Sequence, residues 1–414
     1  MLARRARAWV GVDAGKFSHS LVVRYELEDS KPCTVPTSRE GFETAVRFIQ
    51  QAAPVAAPGE VLVGIEFAGS YGFTFAHFLS QRGFQVVSVL PLHTKRWKDV
   101  VHRQSLKTDA ADALGIVDLT AQGHFVGFPF LKPEYARLRT LVAGRERLSV
   151  LRRRAITQSR SLLQLLFPEY EALFRSFTKK TPFGLLRAFP GPQALLDAPK
   201  RRVLKVLGEL SRGQHGVEMY DRLLAAARGT LALPGLADEL ARELQLTLAR
   251  LELYDQQITT VEAAMVEVLR EVPEAAFLQT IPGVGPLTAA IFLGSVGDPR
   301  AYASSKEILK VAGLSLVERS SGILKGRQRI SKRGRPLLRQ AAYMLAVRSV
   351  RVDGIYRAKF ERLVAQNGGR KIPALVAVSR SALKAMHQVA RERRPWVPDR
   401  VPDGVPAGAA ARVR

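Results

Sequence analysis

The predicted fold class is mixed: α/β in the first third, all-α in the remainder. Three features predict it. Short β-branched runs alternate with amphipathic helical patterns up to about residue 125; leucine stripes at three- and four-residue spacing dominate the middle; a Pro-Gly-x-Gly turn opens another helical region near residue 280. Residues 8–13 (AWVGVD) and 18–24 (SHSLVVR), separated by Ala14-Gly15-Lys16, form the pattern of a hairpin. Further strands are predicted at 61–66 (VLVGIE) and 84–90 (FQVVSVL), with helices at about 39–52 and 71–82. A hairpin with room for a third strand, then helix, strand, helix and strand, is the order of a ribonuclease-H-like domain. The competing doubly wound nucleotide-binding domain needs a Gly-rich loop after its first strand, and Asp13-Ala-Gly-Lys16 supplies neither G-x-G-x-x-G nor a P-loop.

The middle reads as two long amphipathic helices. Leu138, Leu141, Leu148, Leu151 and Ile156 mark the first, and Leu240, Leu244, Leu248, Leu251, Ile258 and Val261 the second, between Leu236 and Val272. Such a pair predicts an antiparallel hairpin or coiled coil. The expected organisation is 1–128 α/β, 129–274 helical with a small insertion at about 180–232, 275–394 carboxy-terminal and helical, and a disordered Pro- and Gly-rich tail at 395–414.

Composition points to partners. Lys and Arg number 63 against 37 Asp and Glu, a net charge of +26 over 414 residues, so a polyanion is expected. One cysteine, Cys33, excludes an internal disulfide framework. No apolar run approaches the roughly 20 residues that a membrane span requires. Met1-Leu-Ala-Arg-Arg runs straight into a strand-like segment, so a cytoplasmic location without a membrane partner is expected.

Four acids stand where chemistry would need them. Asp13 ends the first strand, Glu66 ends the 61–66 strand, and Asp109 and Asp112 open a helix three residues apart, on one face. Four converging carboxylates repel unless a divalent cation sits among them, and hard oxygen ligands favour Mg²⁺ or Mn²⁺. Each acid alone also has an ordinary reading, as a turn residue, a helix-start charge or a surface charge.

Two carboxy-terminal segments suit phosphate. TIPGVGPLTAA at 280–290 places Gly283 and Gly285 in a turn before an apolar helix, a helix-hairpin-helix-like motif whose backbone N–H groups suit a phosphate; an ordinary interhelical turn fits equally. From Arg319 to Arg339 stand eight basic residues and no acid: Arg319, Lys325, Arg327, Arg329, Lys332, Arg333, Arg335 and Arg339. Ser320 and Ser321 lie within that patch with no histidine nearby in sequence, and chemistry alone does not choose between them or single out a nucleophile.

Taken together, VGVDAGK at 10–16, GIEFAGSYG at 64–72, LKTDAADA at 106–113, IPGVGPLTAA at 281–290, AGLSLVERSSG at 312–322 and ISKRG at 330–334 resemble the DEDD transposases of bacterial insertion sequences, the one-ten group, with their Piv-type invertase relatives. The resemblance covers about residues 8–125 and 278–392. It implies a RuvC-like domain whose Asp-Glu-Asp-Asp set falls on Asp13, Glu66, Asp109 and Asp112, and a transposase domain whose serine before the glycine falls on Ser321. It further implies Mg²⁺ or Mn²⁺, donor and target double-stranded DNA, a noncoding guide (bridge) RNA and a nucleoid-associated location. Dimers pairing into tetramers, with acids and serine from different subunits, are implied as well. The section around 180–232 departs from compact members, and Phe67-Ala68 replaces a more usual small-Thr pair. Two alternatives remain open at this point: a RuvC-like junction nuclease using water, and a non-catalytic nucleic-acid-binding scaffold.

Overall fold

The computed structural model describes residues 6–67, 70–101, 108–127, 132–233, 235–321, 324–352 and 354–398. The chain divides into two units, Met1–Phe130 and Leu131–Arg414.

The first unit is built on a mixed sheet. Strand β1 (Ala8–Ala14) pairs antiparallel with β2 (Ser18–Tyr25), which also carries β3 (Glu28–Asp29) and β4 (Cys33–Pro36). Helix α1 (Arg39–Ala52) leads to β5 (Val61–Glu66), which joins β1 in parallel. Helix α2 (Phe73–Gln81) leads to β6 (Gln85–Val89), parallel to β5. After α3 (Pro91–Val101) and α4 (Asp109–Ala121), β7 (Val126–Gly127) closes antiparallel on β6. The strand order β3-β2-β1-β5-β6-β7, with β4 beside β2, is the ribonuclease-H-like arrangement that the element order predicted.

Alternation along β1 separates two layers. Val10 and Val12 share a core with Leu21, Val63 and Ile65 of the sheet and with Phe42, Ile49, Phe75 and Leu79 of α1 and α2. Trp9 packs with Ala113 and Val117 of α4. Helix α2 starts at Phe73 because Gly72 before it holds φ 84°, a left-handed conformation.

Among its described residues the second unit is helical apart from one hairpin. Helices α5 (Pro133–Leu166) and α11 (Ala237–Arg270) have 34 residues each, about 50 Å at 1.5 Å per residue. The ion pairs Arg137–Glu271, Arg145–Glu262 and Arg152–Asp255 run in opposite senses along the two, so they are antiparallel as expected. These pairs are largely exposed and fix direction more than stability. Between the helices lie α6 (Tyr170–Phe174), α7 (Lys180–Ala188), α8 (Pro192–Asp197), α9 (Lys200–Ser211) and α10 (Val217–Arg228). Their core of Phe167, Tyr170, Phe174, Phe177, Leu185, Val203, Leu207 and Leu223 closes on Leu163, Leu244 and Leu248 of the long pair. The insertion therefore begins near residue 167, not 180; Pro168 and four aromatic residues mark the start that the basic stretch from Lys179 obscured.

Helices α12 (Pro273–Leu278), α13 (Pro286–Val296), α14 (Ser305–Val311), α15 (Pro336–Ser349), α16 (Ile355–Gln366) and α17 (Lys371–Glu392) form the remainder, with strands β8 (Leu316–Ser321) and β9 (Leu324–Ile330). Their core includes Tyr135, Leu138, Met265 and Leu269, so one end of the long pair is rooted in it. Glu274 is wholly buried, accepting from the Tyr135 hydroxyl at 3.1 Å and from Arg393 at 2.8 and 3.0 Å. Residues 395–398 fell within the expected disordered tail, but they are placed: the Trp396 N–H donates to Thr280 Oγ1 at 2.8 Å and its side chain packs on the core. Residues 399–414 lie outside the described residues.

Candidate active site

Strand register brings the first two acids together. In the parallel β1–β5 pair, Asp13 stands opposite Glu66 and Gly11 opposite Gly64. Neighbouring strands run about 4.8 Å apart, and residues two apart on one strand share a face. Two glycines and two carboxylates thus form a square patch on one face of the sheet.

The glycines seat a helix. A Cβ on Gly11 would lie 2.1 Å from the Ala113 carbonyl oxygen and 2.4 Å from the Val117 nitrogen; one on Gly64 would lie 1.9 Å from Thr120 Oγ1. Only hydrogen side chains admit α4 at that depth. Its N-terminus carries Asp109 and Asp112, and Thr108 caps it by accepting from the Ala111 N–H at 3.3 Å. Asp109 is exposed; Asp112, Asp13 and Glu66 are half-buried.

Asp13 feels the other three acids. Burial first, then Asp112, Asp109 and Glu66 in that order, push the Asp13 carboxyl up from 3.8 to about 6. Lys98 of α3 opposes this, and its Nζ lies 2.6 Å from Asp112 Oδ1. Among the described residues no three His, Cys, Asp or Glu side chains are already gathered tightly enough to hold an ion. The donor set and its mutual repulsion fit a divalent cation; the side chains as placed are not closed around one point, and an ammonium occupies one of them.

Helix α4 is braced behind the acids. Asp118 accepts from Arg24 Nη1 at 2.6 Å and from Trp97 Nε1 at 3.1 Å, tying β2 and α3 to it. Trp97 is 8% exposed and packs with Val89, Ile116 and Leu119.

In the second unit Gly283 holds φ 85° and is exposed, Gly285 caps α13, and Pro286 takes its first position. Arg348 donates to the Gly283 carbonyl at 3.3 Å. The segment Ser331–Arg335 is zipped to Val311–Ser315: Ser331 N–H to Ser315 O, Lys332 N–H to Gly313 O, and Arg335 N–H to Val311 O, at 2.7–2.9 Å. Arg329, Lys332 and Arg333 are exposed. Arg335 is half-buried, and burial lowers its pKa; burial and the charge of Arg335 hold Arg139 at about 10.

Ser321 ends β8, opposite Leu324 of β9, and the register shifts between Arg319 and Ser321. The side chains of Arg319, Ser320, Ser321, Lys325 and Arg327 lie outside the described residues, as does Gly322 altogether. The hairpin itself was not predicted. The alternation in LVERSS and LKGRQRI was present, but the run of cations drew the reading to a phosphate-binding loop. Sequence reasoning also missed Lys98, signalled only by the basic run KRWK, and the seats Gly11 and Gly64. For the glycines a signal existed: Val-Gly-Val-Asp and Val-Gly-Ile-Glu repeat one pattern at the two strand ends.

A family model described as a transposase, that of the DEDD enzymes of IS110, matches residues 10–168, and the model of the transposase IS116/IS110/IS902 family matches residues 275–361. The 42 kDa protein of insertion element IS900 from Mycobacterium paratuberculosis is 27% identical over 94% of this chain and 97% of its own. The 44.8 kDa protein of insertion element IS116 from Streptomyces clavuligerus is 27% identical over 96% and 98%. The pilin gene-inverting protein of Moraxella bovis is 31% identical over 34% of this chain and 46% of its own. A solved structure of T. thermophilus RuvC in complex with a Holliday junction substrate aligns with 29% of this chain and 99% of its own, at 15% identity and a TM-score of 0.21. No helix among the described residues is long and apolar enough to cross a membrane. The chain belongs to the IS116/IS110/IS902 family of insertion-sequence transposases.

Proposed function

We propose that this transposase is an RNA-guided DNA recombinase that cuts and rejoins strands through a serine-linked intermediate. Asp13, Glu66, Asp109 and Asp112 would hold Mg²⁺ or Mn²⁺. When bound, such an ion neutralises charge on the scissile phosphate and makes an oxygen nucleophile more acidic. The observation that carries the reading is the register pairing of Asp13 with Glu66 beneath a helix whose first turns supply Asp109 and Asp112.

Ser321 is the proposed nucleophile. Its hydroxyl loses a proton, its oxygen bonds to phosphorus, and one ester bond breaks to free a sugar hydroxyl; reversal with a hydroxyl of another strand completes exchange. Residues Arg319, Lys325, Arg327, Arg329, Lys332, Arg333 and Arg335, with the turn at Gly283 and Gly285, grip backbone phosphates of DNA and of a noncoding RNA. The net charge of +26 supports this gripping role. Dimers pairing into tetramers would let acids and serine come from different subunits, and segments 1–128, 129–274 and 275–394 would divide catalysis, dimerisation and strand transfer.

Substitutions Asp13→Asn, Glu66→Gln and Ser321→Ala should each abolish transposition while nucleic-acid binding persists. A denaturing gel should show protein joined to DNA in the wild type and none in Ser321→Ala. Cleavage without any adduct would instead favour a junction nuclease using water.

A further inference from the structure

The acid set already holds a cation of the chain's own. Lys98 Nζ stands 2.6 Å from Asp112 Oδ1, and its side chain keeps 40% of its surface in solvent. The helix that carries it is anchored one residue earlier. Trp97 lies flat against Gly115, where a Cβ would come within 2.6 Å of the ring, and its indole N–H donates to Asp118. Helix α3 therefore cannot roll away from α4 without unburying Trp97. The lysine stem carries no such restraint: four methylenes let the ammonium leave Asp112 while the helix stays in place.

An ammonium and a divalent ion cannot share Asp112 comfortably. About 4 Å apart, they repel by at least roughly tenfold in affinity even at the dielectric of water. We propose that Lys98 is the resident counter-ion of the carboxylate set, and that a divalent metal ion enters by displacing its ammonium from Asp112. The metal-free site is thereby held together, and ions that bind too weakly to expel the lysine are turned away. This inference rests on the carboxylate reading given under the proposed function.

The test is Mn²⁺ binding to the full-length chain, read by electron paramagnetic resonance of the free ion and by tryptophan fluorescence, with Trp97 beside the site. Lys98→Met should bind Mn²⁺ about tenfold more tightly than wild type, and Lys98→Arg, which keeps the charge, should not. Without metal, Lys98→Met should melt below wild type, and added Mn²⁺ should raise its melting temperature by the larger amount; Lys98→Gln serves if the methionine variant folds poorly. Equal affinity in wild type and Lys98→Met, with binding abolished in Asp13→Asn, overturns the counter-ion role and leaves the carboxylate reading standing. Absence of Mn²⁺ binding in both wild type and Lys98→Met, or binding undiminished in Asp13→Asn, overturns the carboxylate reading and this inference with it.

Discussion

Replacing Gly11 by alanine adds one methyl group at the floor of the helix seat. Its carbon would start 2.1 Å from the Ala113 carbonyl oxygen and 2.4 Å from the Val117 nitrogen. Both obstacles are backbone, so no side chain can swing aside. A carbon–oxygen contact settles at about 3.3 Å or more, so α4 must withdraw by about 1 Å. Overpacking of this kind costs about 1–3 kcal/mol, and a backbone obstacle places Gly11→Ala at about 3. A displacement of about 1 Å under Asp109 and Asp112 corresponds to about 100-fold in rate. Thermal melting measures the first effect, and transposition of a marked element in cells measures the second. Gly59→Ala is the control, because nothing lies within 4 Å of its added carbon. A Gly11→Ala protein as stable and active as the Gly59→Ala control would refute the idea that paired glycines set the depth of the acid-bearing helix.

Gly64→Ala meets a side chain instead, Thr120 Oγ1 at 1.9 Å, so Thr120→Ala should restore at least about 1 kcal/mol of the stability lost; strict additivity of the two changes would contradict this. Glu274→Ala should destabilise the second unit by about 1–3 kcal/mol in chemical denaturation, since it leaves the Tyr135 hydroxyl without its acceptor and removes the partner of the partly exposed Arg393; an unchanged midpoint would count against it. Asp13 gives a pH signature without divalent ions. Its folded pKa of about 6 lies above the ordinary 3.8, so its contribution is present below 3.8 and lost as pH rises through 6. Asp13→Asn should therefore melt above wild type at pH 8 and lose that advantage at pH 4; parallel curves would refute the assignment.

How far the fold was legible depends on which force dominates locally. The strand expected at 61–66 and the helix expected at about 39–52 coincide with observed elements, because a continuous apolar run and a capping Ser38 mark their ends. Asp13 and Glu66 were legible as strand-end acids, but their register is a tertiary fact that no single strand encodes. The β8–β9 hairpin was hidden because its alternation is carried by cations, which propensity rules treat as loop formers. Lys98 was invisible for a related reason: an isolated lysine on a helix reads as solvated until the helix it faces is known. Trp396, in a Pro-rich stretch without periodicity, gave no sign that it docks beside Thr280.

Mixing two inactive proteins tests the central claim most directly. Asp13→Asn retains the serine and Ser321→Ala retains the acids, so a multimer containing both can rebuild a site across subunits. Incubated with element DNA, the mixture should yield a covalent protein–DNA species on a denaturing gel, carried only by the Asp13→Asn polypeptide. An adduct on the Ser321→Ala polypeptide, or none in the mixture when wild type gives one, would contradict the joint action of these acids and this serine across subunits on one phosphate.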